Sequence, residues 1–305
     1  MKTAKLNQEW IDINQSIPVP KIDFINKKYL DIAYGYTSPL QTMDLYIPNE
    51  GEKPYPLVIN VHGGGFMFCD KRDWHLYPLF YALERGFAVA SINYRLSPQC
   101  RFPEHIHDVK MSIRFLKAFA EQYDIDKKNV FLWGTSAGGN MVSMVGTTWK
   151  SRLLEDLSMG YPSELCDVRG IAALCPLINM NTYQREMKAL IGMEDDRIRR
   201  MAAMFHSYFG FIPGENDPRL DEASADYYSL CDIPPFYLQH GTHDWAVPAS
   251  QSIAFAEAIQ KVGKKDFVLD LIEGAGHAGG GPEFLERKNI IPIIAFFEKN
   301  KLMDR

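Results

Sequence analysis

The chain is 305 residues long with a mass of 34.8 kDa, and 46% of its residues are hydrophobic, 12% aromatic and 23% charged. A formal net charge of -5 and a pI of about 5.9 provide no basic field for nucleic acid or an anionic membrane surface, so neither is an expected partner. The length is about twice that of a usual domain, yet α/β folds of this size commonly form one unit, and no Gly/Ser linker or low-complexity run marks a boundary. A single domain is therefore expected over 1–305.

Cys69, Cys100, Cys166, Cys175 and Cys231 form an odd set without a Cys-x-x-Cys pair, which argues against a disulfide framework and against a zinc site. Residues 1–10 lack the apolar core of a signal peptide, and no later run is apolar for long enough to span a bilayer. A cytoplasmic protein with reduced, mostly buried thiols is the expectation.

In chain order, 28–34 and 41–47 alternate polar and apolar residues, the pattern of an antiparallel pair of edge strands. The runs at 57–61 and 87–92 are short, β-branched and apolar nearly throughout, as strands buried on both faces of a parallel sheet are. Between them 76–84 reads as a helix closed by Gly86, and a longer helix is expected from 106 to 123, where Val109, Ile113, Leu116, Ala120 and Tyr123 recur at helical spacing. A strand at 130–133, a helix at 138–148 and a strand at 170–174 continue the alternation, which predicts a parallel sheet covered on both faces. The rhythm breaks over 176–229, a helical stretch rich in methionine and aromatic residues (Met180, Met187, Met193, Met201, Met204, Phe205, Tyr208, Phe209). It is too short for an independent domain and too apolar for a solvated loop, so it is expected to be a lid whose adaptable side chains suit an acyl or aryl pocket. Strands at 236–238 and 267–272 and helices at 250–262 and 282–297 complete the chain.

The chemistry is concentrated at strand ends. Gly134-Thr135-Ser136-Ala137-Gly138 follows one buried strand and opens a helix, and its small residues allow a turn sharp enough to project a serine hydroxyl from the sheet. Ser136 is the candidate nucleophile. A neutral serine needs a base, and His277 lies in the glycine-rich loop Gly274-Ala275-Gly276-His277-Ala278-Gly279-Gly280 directly after a strand, whereas His75, His105, His107 and His206 fall in expected helices or their approaches. The imidazole needs an acid to orient it, and Asp244 follows the preceding strand; Asp226, Asp232 and Glu273 are rivals that lack this position. The order Ser136, Asp244, His277 is that of the α/β-hydrolase fold. After the strand ending at Val61, His62-Gly63-Gly64-Gly65-Phe66 offers backbone amides to a substrate oxyanion.

With these residues assembled, the chain resembles α/β-hydrolases of the hormone-sensitive-lipase type, and within them the acetylxylan/feruloyl-esterase-like carboxylesterases. The resemblance runs from about residue 29 to 297 outside the lid. It rests on His62-Gly63-Gly64-Gly65-Phe66, Asn93-Tyr94-Arg95-Leu96-Ser97-Pro98, Phe102-Pro103 with Asp108, Gly134-Thr135-Ser136-Ala137-Gly138-Gly139-Asn140, and His243-Asp244 with Val247-Pro248. It implies a mostly parallel eight-stranded sheet with helices on both faces, an oxyanion hole made by the amides of Gly64, Gly65 and Ala137, and a bracing role for Tyr94, Arg95 and Asp108. Two features pull the subgroup in different directions: His277 is followed by Ala278-Gly279-Gly280-Gly281 where the lipase-type pattern commonly has Gly-Phe, while Asn140 leans toward that pattern.

The expected activity is that of a serine carboxylesterase acting on short-acyl esters of small alcohols, phenols or acetylated sugars through an acyl-enzyme, with Phe66, Met67, Phe68, Trp245, Met204 and Tyr208 as pocket walls. No metal or organic cofactor is expected, and a homo-oligomer is compatible with the sequence. Activity should fall in acid as His277 takes up a proton. A peptidase, a lactonase and a non-catalytic protein of hydrolase ancestry are the competing readings; peptidase relatives carry a large additional domain that this length does not encode.

Overall fold

A computed structural model describes residues 19–191, 196–214, 216–278 and 282–302. The readings made above for residues 1–18, for Met193 and for Gly279, Gly280 and Gly281 lie outside the described residues.

Eight strands form one sheet: β1 (Lys27–Ala33), β2 (Thr42–Ile47), β3 (Tyr55–Val61), β4 (Ala88–Ile92), β5 (Ile125–Thr135), β6 (Gly170–Leu174), β7 (Phe236–Gly241) and β8 (Phe267–Ile272). Their spatial order is β1-β2-β4-β3-β5-β6-β7-β8. The first two joints, β1 with β2 and β2 with β4, are antiparallel, and every joint from β4 to β8 is parallel. Strands β4, β6 and β7 are buried at every position, as expected of near-continuous apolar runs, while β1 and β8 alternate with exposed residues because each has a neighbour on one side only.

Alternate residues of the central strands feed two cores. Leu57, Ile59, Val61 and Leu132 pack on one face with α2 (Glu104–Ala118), α3 (Ala137–Thr148) and α6 (Ser250–Lys261). Val58, Phe131 and Trp133 pack on the other with α1 (Phe80–Glu84), the 3-10 turn Trp74–Leu79 that leads into it, and α7 (Arg287–Lys299). The helices thus cover both faces of an eight-stranded, mostly parallel sheet, the architecture of the α/β-hydrolases. Between β6 and β7 the chain leaves the sheet to form α4 (Met180–Ile191), α5 (Asp196–Phe209) and two 3-10 turns, Pro218–Ala223 and Ala225–Tyr227.

Local departures from the sequence reading have physical causes. Helix α2 ends at Ala118, short of the expected 123. The apolar period runs on because Ala120 and Tyr123 stay buried, but the chain turns through Asp124, whose φ is +57°, to enter β5. Residues 76–84 hold a 3-10 turn that carries Pro78, followed by α1, because a proline inside a helix removes a donor and favours a tighter start. Strand β7 continues past Leu238 to Gly241 because its polar residues are satisfied internally: the Gln239 amide donates to Asp270 Oδ2 and to the Asn289 carbonyl, each at 2.9 Å.

Candidate active site

The C-terminal ends of β3, β5, β7 and β8 lie at one edge of the sheet because these strands are parallel, with Val61 beside Gly134 and Gly241 beside Ile272. Ser136 stands just beyond β5 as the residue before α3, with φ +57° and ψ -115°, a conformation that costs a non-glycine residue about 1–3 kcal/mol. Two constraints hold it there. The Ser136 amide donates to the Leu174 carbonyl at 2.8 Å, and α3 approaches β3 so closely that a Cβ on Gly138 would sit 2.0 Å from the Val61 carbonyl oxygen.

His277 and Asp244 complete a linear array. Ser136 Oγ donates to His277 Nε2 at 2.9 Å, and His277 Nδ1 donates to Asp244 Oδ2 at 2.7 Å. The remaining oxygen of Asp244 accepts from the amides of Ala246 and Val247, each at 2.8 Å, so the tight turn after β7 grips the carboxylate. Burial would raise its pKa, but the neighbouring His277 imidazole and a hydrogen bond from His240 outweigh this and hold the carboxyl well below the usual range.

His240 is a member of this network that sequence reasoning missed. It is fully buried in β7, with Nε2 at 3.3 Å from Asp244 Oδ2 and 2.9 Å from the Val247 carbonyl, and Nδ1 at 2.7 Å from Ser252 Oγ. Both neighbours of Nε2 are acceptors, so that nitrogen carries the proton. The available signal was a histidine near the end of a strand, four residues before Asp244. The rival acids lie elsewhere: Asp226 accepts from the Asn179 amide at 2.9 Å, Asp232 pairs with exposed Lys150 at 2.9 Å, and Glu273 is exposed.

On the opposite wall, residues 62–66 curl over the serine. Gly64 has φ +99°, and a Cβ there would sit 2.2 Å from the Phe68 carbonyl oxygen, so no other residue fits. Its carbonyl accepts from Met67 at 3.0 Å and Phe68 at 3.2 Å, which closes the turn. The amides of Gly64 and Gly65 donate to no acceptor among the described residues, and Ala137 occupies the first turn of α3, where amides have no partner within the helix. The loop is braced from below. Tyr94 Oη donates to the carbonyls of His62 at 3.0 Å and Gly63 at 3.2 Å, and its ring stacks on His62 with centroids 4.4 Å apart. The Gly63 amide donates to His75 Nε2 at 3.2 Å, which fixes His75 Nδ1 as the donor to Asp73 Oδ1 at 2.6 Å. Burial pushes the His62 pKa down, so its ring is a neutral packing element. The Arg95 guanidinium donates to Asp108 from Nε at 2.9 Å and from Nη2 at 2.8 Å and its backbone amide donates to the same carboxylate at 2.8 Å, tying the segment after β4 to α2.

A cavity of about 170 Å³ opens onto Ser136 and His277. Phe66, Met67, Phe68, Met204 and Trp245 line it together with Tyr183, Met187 and Met201. Tyr208, expected in the pocket, does not line it: its ring is fully buried, stacked on Phe66 at 4.0 Å and tilted against His105 at 4.8 Å. It supports the wall from behind, since its side chain leaves α5 on the face turned to the core.

Two groups of potential metal ligands adjoin the site, Cys69 with Asp73 and His75, and Cys175 with His240 and Asp244; in each, the ligand atoms lie within 4.8 Å of one another. Both carboxylates are already engaged by imidazoles, and burial followed by the adjacent carboxylate drives the Cys69 and Cys175 thiols far above their usual pKa, disfavouring the thiolate a metal needs. Among the described residues no helix is long and apolar enough to cross a membrane.

A model of the BD-FAE family matches residues 43–259. Among curated proteins the chain is similar to "Probable carboxylic ester hydrolase LipM" of Mycobacterium tuberculosis, with 28% identity over 257 residues covering 81% of this chain and 55% of that protein. It is also similar to "Probable isoprenylcysteine alpha-carbonyl methylesterase ICMEL1" of Arabidopsis thaliana, with 26% identity over 260 residues covering 81% and 50%. The chain thus spans about half the length of the curated relatives it matches. Among solved structures, "Truncated form of carbohydrate esterase from gut microbiota" superposes with a TM-score of 0.80 at 23% identity, covering 93% of this chain and 99% of that one. Esterase B from Lactobacillus rhamnosis gives a TM-score of 0.73 at 21% identity, covering 97% and 91%. These two share the fold.

Proposed function

This chain belongs to the BD-FAE family, and from that premise we propose that it is a serine carboxylesterase cleaving short-acyl esters through an acyl-enzyme. The observation that carries the reading is the array of Ser136, His277 and Asp244, with bonds of 2.9 and 2.7 Å, facing the donor amides of Gly64 and Gly65 across one cavity.

In the first half-reaction Ser136 Oγ attacks the ester carbonyl while His277 Nε2 takes its proton, and Asp244 stabilises the imidazolium so formed. The tetrahedral oxyanion is received by the amides of Gly64, Gly65 and Ala137, where a single donor is worth about 3 kcal/mol of barrier. His277 then protonates the departing alcohol, and in the second half-reaction it activates the water that releases the acid. The walls suit a small acyl or aryl group, being lined by Phe66, Met67, Phe68, Tyr183 and Trp245. Residues 176–229 act as the lid, contributing Tyr183, Met187, Met201 and Met204 to the cavity.

The test is a panel of acyl esters from acetyl to long chain, with acetylated xylan oligosaccharides and feruloyl esters, run beside Ser136→Ala. Turnover of acetyl to butyryl esters should fall by at least 10^3-fold in the variant, and a phosphonate ester should label Ser136, as read by peptide mass. Wild-type turnover no faster than that of the variant would favour a non-catalytic protein of hydrolase ancestry.

A further inference from the structure

A second imidazole and carboxylate pair, His75 with Asp73, stands beside the glycine loop and has no part in the proton transfers assigned to Ser136, His277 and Asp244. Asp73 caps the 3-10 turn Trp74–Leu79: its Oδ1 accepts from the His75 amide at 3.0 Å and from His75 Nδ1 at 2.6 Å, and its Oδ2 accepts from the Asp70 amide at 3.2 Å. The buried His75 ring is also stacked on Trp74, with centroids 3.7 Å apart. Burial would raise the Asp73 pKa, but the adjacent His75 imidazole and its hydrogen bond outweigh this and hold the carboxyl well below its usual range. The carboxylate therefore keeps the ring proton on Nδ1 and leaves Nε2 as an acceptor.

That acceptor faces the backbone of the loop. The peptide unit joining His62 to Gly63 is held at both ends: its N–H donates to His75 Nε2 at 3.2 Å, and its carbonyl accepts from Tyr94 Oη at 3.0 Å. In the next unit the Gly63 carbonyl accepts from His62 Nδ1 at 2.9 Å and from Tyr94 Oη at 3.2 Å. A trans peptide is planar with its N–H opposite its carbonyl, so the direction of the Gly63 carbonyl sets that of the Gly64 N–H, the first of the donors proposed for the oxyanion. Little slack is left around these units. A Cβ on Gly63 would lie 3.0 Å from His75 Nε2 and 3.3 Å from Ser136 Cβ, so the glycine is packed between the imidazole and the nucleophile.

Resting on the carboxylesterase reading, we propose that His75, held by Asp73, is a positioning residue for the oxyanion hole: it fixes the loop so that the Gly64 amide is aimed at the oxygen that turns negative as Ser136 attacks. It acts through the backbone and transfers no proton. Its effect grows with the charge on that oxygen, so it belongs to the transition state and not to the binding of the ester.

The test sets turnover of phenyl acetate beside inhibition by butyl trifluoromethyl ketone and by the matching carbinol. Ser136 Oγ adds to the ketone carbon, its proton passes to His277, and the carbonyl oxygen becomes an oxyanion in the hole; the carbinol has the same skeleton and cannot add. In His75→Leu, kcat/KM and the affinity for the ketone should fall by a common factor of about 10–100, since removing one donor outright costs about 10^2–10^3-fold. The carbinol should bind within twofold of wild type. His75→Gln, which keeps an acceptor near the place of Nε2, should recover most of the loss. Where His75→Leu does not fold, Asp73→Asn, which keeps the shape of the turn but no longer fixes the tautomer, should weaken the ketone and leave the carbinol unchanged. In the variant that folds, a ketone bound within twofold of wild type, or ketone and carbinol weakened equally, would overturn the positioning role and leave the esterase standing. If the wild type hydrolyses phenyl acetate no faster than Ser136→Ala does, the esterase reading fails and the positioning role with it.

Discussion

Asp244 is the residue on which the site's electrostatics turn. Its two oxygens receive two backbone amides, His277 and His240, and it therefore keeps its charge far into acid. A loss of activity in mild acid would consequently not come from protonation of this carboxylate. Asp244→Asn leaves the shape of the site but offers an N–H where Nδ1–H must donate, which forces the wrong tautomer or breaks the bond. The expected outcome is a fall in kcat on the order of 10^4-fold with KM changed little, measured on a short-acyl ester. The residue scale also shows what a sequence conveys. Ser136, Asp244 and His277 were legible because each follows a strand, and strand ends in a parallel sheet share one edge. His240 was not, because it lies inside β7, and its role comes from the turn at Ala246 and Val247 folding the carboxylate back onto it. Tyr208 was misplaced for a related reason: a methionine- and aromatic-rich helix announces that it is amphipathic without saying which face meets the cavity and which the core.

At the scale of elements, the two ends of the segment between β6 and β7 are fastened to the framework by side chains of α3 and α6. The Asn140 amide on α3 donates to the carbonyls of Leu177 at 2.8 Å and Ala223 at 3.3 Å, so one side chain clasps both ends of the insertion. The Gln251 side chain on α6 accepts from the amides of Ile178 at 3.0 Å and Asn179 at 2.8 Å. Asn140→Ala strands two buried carbonyls, and each loses a bond worth about 1 kcal/mol. The variant should melt lower by several degrees and be cleaved faster within 176–229 in limited proteolysis, with cleavage outside that segment unchanged. Uniform acceleration of cleavage along the chain would show that the clasp supports the whole fold. The existence of this segment was readable as a break in the strand and helix rhythm, but its clasps were not, since they join residues such as Asn140 and Ala223 that are 83 positions apart.

The whole molecule carries its own electrostatic signature away from the site. Lys110 is fully buried in α2, where it donates to the carbonyls of Leu153 at 2.6 Å and Thr148 at 3.3 Å and stands 3.7 Å from Glu155. Burial dominates and lowers its pKa from 10.5 to about 8. Between those values the unfolded chain binds more protons at this group than the folded one, so the fold gains stability as pH rises from 8 toward 10.5, and below 8 it bears the cost of a buried ammonium. The size of this effect is on the order of 3 kcal/mol. Denaturant titrations at pH 7, 8.5 and 10 should show wild-type stability rising relative to Lys110→Met, and parallel curves would refute the lysine's part in it. No pattern in the sequence marks Lys110, because a cation on a helix is ordinarily read as its solvated face. The eight strands and the antiparallel start, in contrast, were readable from alternating segments followed by runs apolar on both faces; their order was not, and β2, expected as an edge strand, lies between β1 and β4 because β4 crosses over to pair with it.

The stitching around β6 has a consequence of a mechanical kind. The Ser136 amide is tied to Leu174, the last residue of β6, and the Cys175 amide is tied to Gln239 on β7, both at 2.8 Å, so the strand is clamped to both neighbours up to the residue before Pro176. The backbone position of Ser136 is thus fixed by its bond to the end of β6. The spacing of Ser136, His277 and Asp244 is thereby set by the sheet and its turns, while α4 and α5 supply Tyr183, Met187, Met201 and Met204 to the cavity beside them.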